Sequence, residues 1–174
     1  MGAGKSTVGK ALAKHLSWDF TDTDHLIEQQ TGVSIPVIFE IEGEAGFRRR
    51  ESMALAGFVG KERQVIATGG GIVLAEENRD VLKQIGSVIY LSASASELYQ
   101  RTRMDKNRPL LQGPNPRRKI EELLAARLPL YKECASVIIE TGRQPVYQIV
   151  NKISVALKLD QKTESSVQKA VGTE

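Results

Sequence analysis

Apolar residues recur along this chain in two alternating rhythms, and the alternation predicts the architecture. Val8, Ala11, Leu12 and Leu16 stand at the spacing of one helix face over residues 5–16. Trp18-Asp19-Phe20-Thr21 is short and aromatic and predicts a strand that ends at Asp22-Thr23-Asp24. A helix over 25–31 follows, stopped by Gly32. Ser34 can cap a short helix with Pro36 in its first turn and Phe39 turned inward, and a longer helix over 44–59 is ended by Gly60.

The second half repeats the theme. Gln64-Val65-Ile66-Ala67-Thr68 is a strand-like run cut off by Gly69-Gly70-Gly71. A helix over 76–85 leads to the continuous apolar strand Val88-Ile89-Tyr90-Leu91. Ser94 and Glu97 have capping-box spacing and open a helix through Arg103. Residues 104–116 form a loop rich in charge, glycine and proline, and loops of that kind inside compact domains often act as lids. A helix over 120–131 contains Pro129, which is expected to bend or end it. A strand over 136–140 and an amphipathic helix over 146–159 complete the pattern, and the polar stretch from Asp160 is expected to be disordered.

Near-continuously apolar strands alternating with helices predict an α/β fold, a parallel sheet covered by helices on both faces. Ligands of such sheets bind at the carboxyl ends of the strands. The polar features at 2–7, 22–24, 69–71 and 104–116 all follow strand ends, so they are expected on one rim. With 174 residues, no internal repeat and no linker, one domain is expected over 1–158, with a tail over 159–174.

The stretch that names a chemistry is Met1-Gly2-Ala3-Gly4-Lys5-Ser6-Thr7. It matches the second half of the phosphate-binding pattern G-x-x-x-x-G-K-[ST]. In that pattern backbone N–H groups close around phosphates, the lysine reaches the β/γ-phosphates and the hydroxyl holds Mg²⁺. The pattern's first glycine would lie two residues ahead of Met1, and the strand that such a loop follows has no counterpart in this sequence. The start at Met1 is therefore expected to be mis-assigned and the native chain longer.

Composition changes this picture little. The 41% hydrophobic and 26% charged residues are ordinary for a globular protein, and no apolar run approaches the roughly 20 residues of a membrane helix. A net charge of +3 without a basic stripe or interleaved aromatics does not call for nucleic acid, and it suits an anionic small substrate. Cys134 stands alone and reads as a packing residue, and His15 and His25 lack metal-ligand spacing.

Other residues could complete a site. Asp22 and Asp24, two apart on an extended strand end, would share one side. One of such a pair can hold Mg²⁺ through water while the other takes a proton from a hydroxyl, although Asp24 also suits a helix cap. Arg48, Arg49 and Arg50 fan around a helix, so at most one or two of them face a ligand. Gly69-Gly70-Gly71 would let a ligand lie against bare backbone. Arg108 on a closing lid can neutralise a transferring phosphoryl group, and Arg127 can face the same cleft from a helix.

Taken together, G-A-G-K-S-T, D-T-D at 22–24, F-R-R at 47–49, G-G-G at 69–71, R-P-L-L at 108–111 and R-L-P-L-Y at 127–131 resemble the shikimate kinases in order and spacing. The resemblance implies a three-layer P-loop fold like that of the nucleoside monophosphate kinases, and ATP-dependent phosphorylation of the 3-hydroxyl of shikimate in aromatic amino acid biosynthesis. It implies that Gly2, Ala3, Gly4, Lys5, Ser6 and Thr7 cradle ATP phosphates, with Ser6 and Asp22 on Mg²⁺. Asp24 would orient or deprotonate the accepting hydroxyl, Arg48 and Arg127 would clamp the shikimate carboxylate, and Gly69 and Gly70 would offer backbone to the substrate. Arg108 would reach the phosphates from the lid, with Lys5 and Asp24 as its catalytic partners, and Arg101, Arg143 and Gln144 would lie on the adenine side. The expected enzyme is a cytoplasmic monomer (plastid if a targeting segment preceded Met1) that binds no nucleic acid and no membrane. Rival readings are a gluconate-type kinase and a non-catalytic kinase-like binding protein.

Overall fold

The computed structural model describes residues 2–103 and 114–159. Arg108 and most of residues 104–116, like the residues from 160 onward, lie outside the described residues. Helix α1 (Lys5–Leu16) is followed by strand β1 (Asp19–Asp22), helices α2 (Thr23–Thr31) and α3 (Ile35–Ala56), and strand β2 (Gln64–Ala67). A single 3-10 turn (Ile72–Leu74) then leads to α4 (Glu76–Ile85), β3 (Ile89–Ser92), α5 (Ala95–Thr102), α6 (Pro116–Cys134), β4 (Val137–Glu140) and α7 (Val146–Leu157).

The strands pair in parallel, β1 with β2 and β3 with β4, so that Asp22 lies opposite Ala67 and Ser92 opposite Glu140. They form two two-stranded sheets, and among the described residues no ladder joins one pair to the other. A cavity bordered by Thr68 and Gly69 on one side and by Ile89, Tyr90 and Leu91 on the other separates them. A shared core still unites both pairs. Val8 and Leu12 of α1, Leu91 of β3, Ile139 of β4 and Ile149 and Ile153 of α7 form one buried cluster, with Val65 of β2 packed against it. Smaller clusters lie between α2 and α3, around Ile27, Ile38 and Phe47, and under the 3-10 turn, around Ile72, Val73 and Cys134.

Local signals account for most boundaries. Ser94 and Glu97 form the capping box reciprocally, and this hydrogen bonding holds the Glu97 carboxyl below its usual range. Gly32 ends α2 in the left-handed region at φ 72°. Three expectations need correction. Ser34 makes no capping side-chain bond; the Ile35 N–H instead donates to Glu28 Oε1 at 3.0 Å. The helix expected to end at Gly60 stops at Ala56, while the short and long helices expected here are present as the two arms of α3, which meet at a kink where Gly43 leaves helical geometry. Pro129 does not end α6, which runs on to Cys134 because Leu130, Tyr131 and Cys134 join the cluster beneath the 3-10 turn. That burial outweighs the one helical bond a proline removes.

Gly43 adopts φ 70°, ψ −179°, a region that only glycine occupies without strain. Replacing Gly43 with alanine is expected to cost about 1–3 kcal/mol. Urea unfolding would read this as a lower midpoint at an unchanged slope.

Candidate active site

The N-terminus of α1 is built to receive an anion. Gly4 is its N-cap in the left-handed conformation at φ 84°, no side chain caps the first turn, and no acidic residue stands in it. By contrast α2, α5 and α6 are capped by Asp22, Ser94 and Asn115. The first N–H groups of a helix have no internal partner, and its dipole adds partial positive charge there. Gly2, at φ 59°, has no room for a side chain, since a Cβ would strike Thr102. Ala3 is buried, whereas Gly4, Ser6 and Thr7 are exposed.

The Asp22 carboxylate meets this loop. The Ser6 hydroxyl donates to Asp22 Oδ2 at 2.5 Å, and the Asp24 N–H donates to Asp22 Oδ1 at 3.1 Å. The sequence placed Asp22 and Asp24 together on an extended strand end, but Asp22 closes β1 and caps α2 while Asp24 lies in the first turn of that helix. The cap is therefore Asp22, not Asp24. The chain turns because Asp22 satisfies the helix N-terminus, and the turn carries Asp24 toward Gly69. A Cβ built on Gly69 would stand 3.2 Å from Asp24 Oδ1 and would collide with Glu51 Oε1.

Arg48 and Glu51 complete this wall. Three residues apart on α3, they form an ion pair, and Arg48 Nη2 also donates to Glu44 Oε1 at 2.8 Å. Glu51 is fully buried and its Oε1 has no hydrogen-bond partner among the described residues. Burial pushes its carboxyl above the usual range, Arg48 opposes this, and the nearby Asp24 charge adds to it. For Arg48, burial disfavours the charge, but Glu51 and Glu44 outweigh it and hold the guanidinium pKa above its ordinary value. A Cβ on Gly71 would run into the Arg48 guanidinium. Close approach at Gly69 and Gly71 thus comes from the chain's own side chains. Arg49 is exposed and Arg50 pairs with Glu42, as expected of surface charges.

Arg127, whose default as a lone helical arginine is the surface, is only 5% exposed. It borders the same cavity as Lys5, Gly69, Gly70 and Tyr131. Lys5, Gly69, Gly70 and Arg127 thus border one cavity, Asp24 and Arg48 pack against Gly69 and Gly71, and Ser6 and Asp22 are joined by their hydrogen bond. Arg101 lies to one side. It donates to Gly2 O at 3.4 Å and Thr141 Oγ1 at 3.2 Å, and it also binds the Gly142 carbonyl, tying the phosphate loop to the turn that carries Arg143 and Gln144.

The hydroxyl and carboxylate of Ser6 and Asp22 are hard oxygen donors of the kind Mg²⁺ takes. That ion usually keeps several waters and needs only one or two protein ligands beside phosphate. The pair fits it. No cluster of three or more acidic, histidine or cysteine groups occurs among the described residues, which a nucleotide-bound Mg²⁺ does not require.

Sequence reasoning assigned no role to Glu51 or Tyr131. The signal was their spacing, Glu51 three residues after Arg48 and Tyr131 four after Arg127, which places each on the helix face of a named arginine.

A shikimate kinase family model matches residues 1–158. The shikimate kinase of Burkholderia lata is 54% identical over 91% of this chain and 86% of its own length. That of Methylococcus capsulatus is 54% identical over 88% of this chain and 86% of its own. Among solved structures, a shikimate kinase from Acinetobacter baumannii in complex with shikimate superposes with a TM-score of 0.88 at 48% identity, covering 93% of this chain and 90% of its own. The Aquifex aeolicus shikimate kinase gives 0.79 at 34%, covering 92% and 94%.

Because the folded protein holds the Glu51 carboxyl above its ordinary value, folding favours its protonated form. Relative to a Glu51→Gln variant, the wild type should therefore be most stable below the unfolded glutamate pKa of about 4.3. That advantage should shrink as pH rises through the raised folded value. Urea melts of both proteins between about pH 4 and pH 8 would test this, and an advantage growing with pH would contradict it.

Proposed function

The chain belongs to the shikimate kinase family, and from that membership we propose how its residues move a phosphoryl group from ATP to the 3-hydroxyl of shikimate. The observation that supports the reading is a cavity bordered by Lys5, Gly69, Gly70 and buried Arg127, with Asp24 against Gly69 and Arg48 against Gly71, beside an uncapped, glycine-led helix N-terminus.

The backbone of Gly2–Thr7 cradles the ATP phosphates and Lys5 neutralises the transferring group. Ser6 and Asp22 hold Mg²⁺, which when bound screens phosphate charge. Arg48 and Arg127 receive the shikimate carboxylate, for which guanidinium forks are geometrically suited. Gly69 and Gly70 present backbone to the substrate ring. Asp24 accepts a hydrogen bond from the 3-hydroxyl, aligns it and takes its proton as the bond between the γ-phosphorus and the bridging oxygen breaks, the bond to the 3-oxygen forms and ADP departs. Phosphoryl transfer passes through a loose transition state, so positioning and charge matter more than a strong base. Arg108, which lies outside the described residues, adds positive charge to the transferring group, and exclusion of water from the site protects ATP from hydrolysis. Arg101, Arg143 and Gln144 flank the adenine. The reading includes a cytoplasmic, monomeric enzyme without nucleic-acid or membrane partners; no helix of the described residues is long and apolar enough to cross a membrane.

Shikimate-dependent ADP release on the natively produced protein tests this. Asp24→Asn should lower kcat about 10²–10⁴-fold, the usual worth of a positioned acid–base group. Lys5→Ala should cost about 10²–10³-fold, whereas Arg127→Lys should chiefly raise KM for shikimate. Release with gluconate but not shikimate would overturn the substrate, and ligand binding without turnover would favour a non-catalytic role.

A further inference from the structure

Glycines at 69, 70 and 71 leave the substrate-facing loop without side chains of its own to hold it. Unconstrained, such a run has the largest conformational freedom of any peptide. Two of its carbonyls are tied locally, Gly69 O by the Ile72 N–H at 3.3 Å and Gly71 O by the Leu74 N–H at 3.0 Å. The middle carbonyl is held from 61 residues away, by the Tyr131 hydroxyl, which donates to Gly70 O at 2.6 Å. Tyr131 is itself fixed. Its ring stacks on Tyr90 of β3 with centroids 4.8 Å apart and planes 22° apart, and it lies one turn beyond Arg127 on α6. Burial pushes the phenol above its usual range, against the opposing pull of Arg127, so the hydroxyl stays a donor throughout physiological pH.

We propose that Tyr131 is a positioning residue for the substrate: its hydroxyl locks the Gly70–Gly71 peptide plane, so that the glycine loop is held in its substrate-receiving form without Tyr131 touching the substrate. The geometry favours this over simple packing. The ring stack and the helix contacts already anchor Tyr131, and neither requires a hydroxyl. The bond joins the helix that carries Arg127 to the loop that faces Asp24 and Arg48, so one contact sets the spacing between two walls of the cleft. A phenylalanine would keep the stack and lose the bond to Gly70 together with the hydroxyl's hydrogen bond with the Arg127 side chain. Amide exchange in the glycine loop is therefore the readout specific to the lock. This inference rests on the shikimate kinase reading for its kinetic part but not for its structural part.

The test is Tyr131→Phe. KM for shikimate should rise about three- to ten-fold, the worth of one hydrogen bond, with kcat and KM for ATP within about two-fold. Amide hydrogen exchange at Gly70 and Gly71, followed by NMR without ligand, should quicken. Tyr90→Phe, which keeps the same stack, should change neither quantity. Unchanged exchange in Tyr131→Phe would overturn the lock whatever the protein's substrate. Faster exchange with unchanged KM in a shikimate-active enzyme would overturn its role in positioning substrate. An equal KM rise in Tyr90→Phe, in which both the ring stack and the Tyr131–Gly70 bond remain, would show that KM does not report that bond and would overturn the proposal. Loss of the function reading itself would show separately, as absent shikimate turnover in the wild type.

Discussion

A carboxylate with no access to water sits at the centre of this molecule, and much of the cleft follows from having to accommodate it. Removing an ionised glutamate from water costs several kcal/mol unless a partner and hydrogen bonds offset it. Glu51 has Arg48, and the two side chains press on the backbone of Gly69 and Gly71, where any Cβ would collide. The pair therefore dictates glycine at positions a sequence reader would assign to ligand approach. It also holds Arg48 in place before any ligand arrives, which removes part of the ordering cost that binding otherwise carries. Among the described residues Glu51 Oε1 has no hydrogen-bond partner, so the ion pair with Arg48 is what offsets the burial of this carboxyl.

Around that pair the cleft is assembled from helix ends and loops that different forces hold. The α1 terminus stays uncapped and open to an anion, whereas Asp22 closes α2 and at the same time accepts the Ser6 hydroxyl. One carboxylate thus joins the phosphate loop to the element that carries Asp24. On the opposite side α6 supplies Arg127 and Tyr131 from one face, and Arg79 of α4 braces the following turn by donating to Val73 O and Glu133 Oε1, each at 3.1 Å. The loop between residues 69 and 74 is consequently held at Gly70 by Tyr131, 61 residues away, and at Val73 by Arg79 of the next helix. Rigid walls of this kind suit phosphoryl transfer, in which misplacement of reacting atoms is costly.

Much of this was legible in the residues themselves. Element order, the capping box at Ser94, the stop at Gly32 and the phosphate loop are written in local propensity and spacing, because the forces that set them act within a turn or two of chain. The motif series pointed to the family and to the residues that would line the cleft for the same reason: each motif is contiguous. What the chain could not announce by itself was which polar groups would be taken out of water. Nothing in the local sequence says that Arg127 and Glu51 are buried, and Pro129, expected to bend or end its helix, does not end it because Leu130, Tyr131 and Cys134 are packed into the cluster beneath the 3-10 turn. The assignment of Asp22 rather than Asp24 to the cap, and the hold of Tyr131 on Gly70, likewise depend on tertiary geometry. Desolvation and packing are properties of the assembled fold, so the sequence by itself determined the elements and the chemistry available, and only the tertiary structure decided which charges are buried and what they press against.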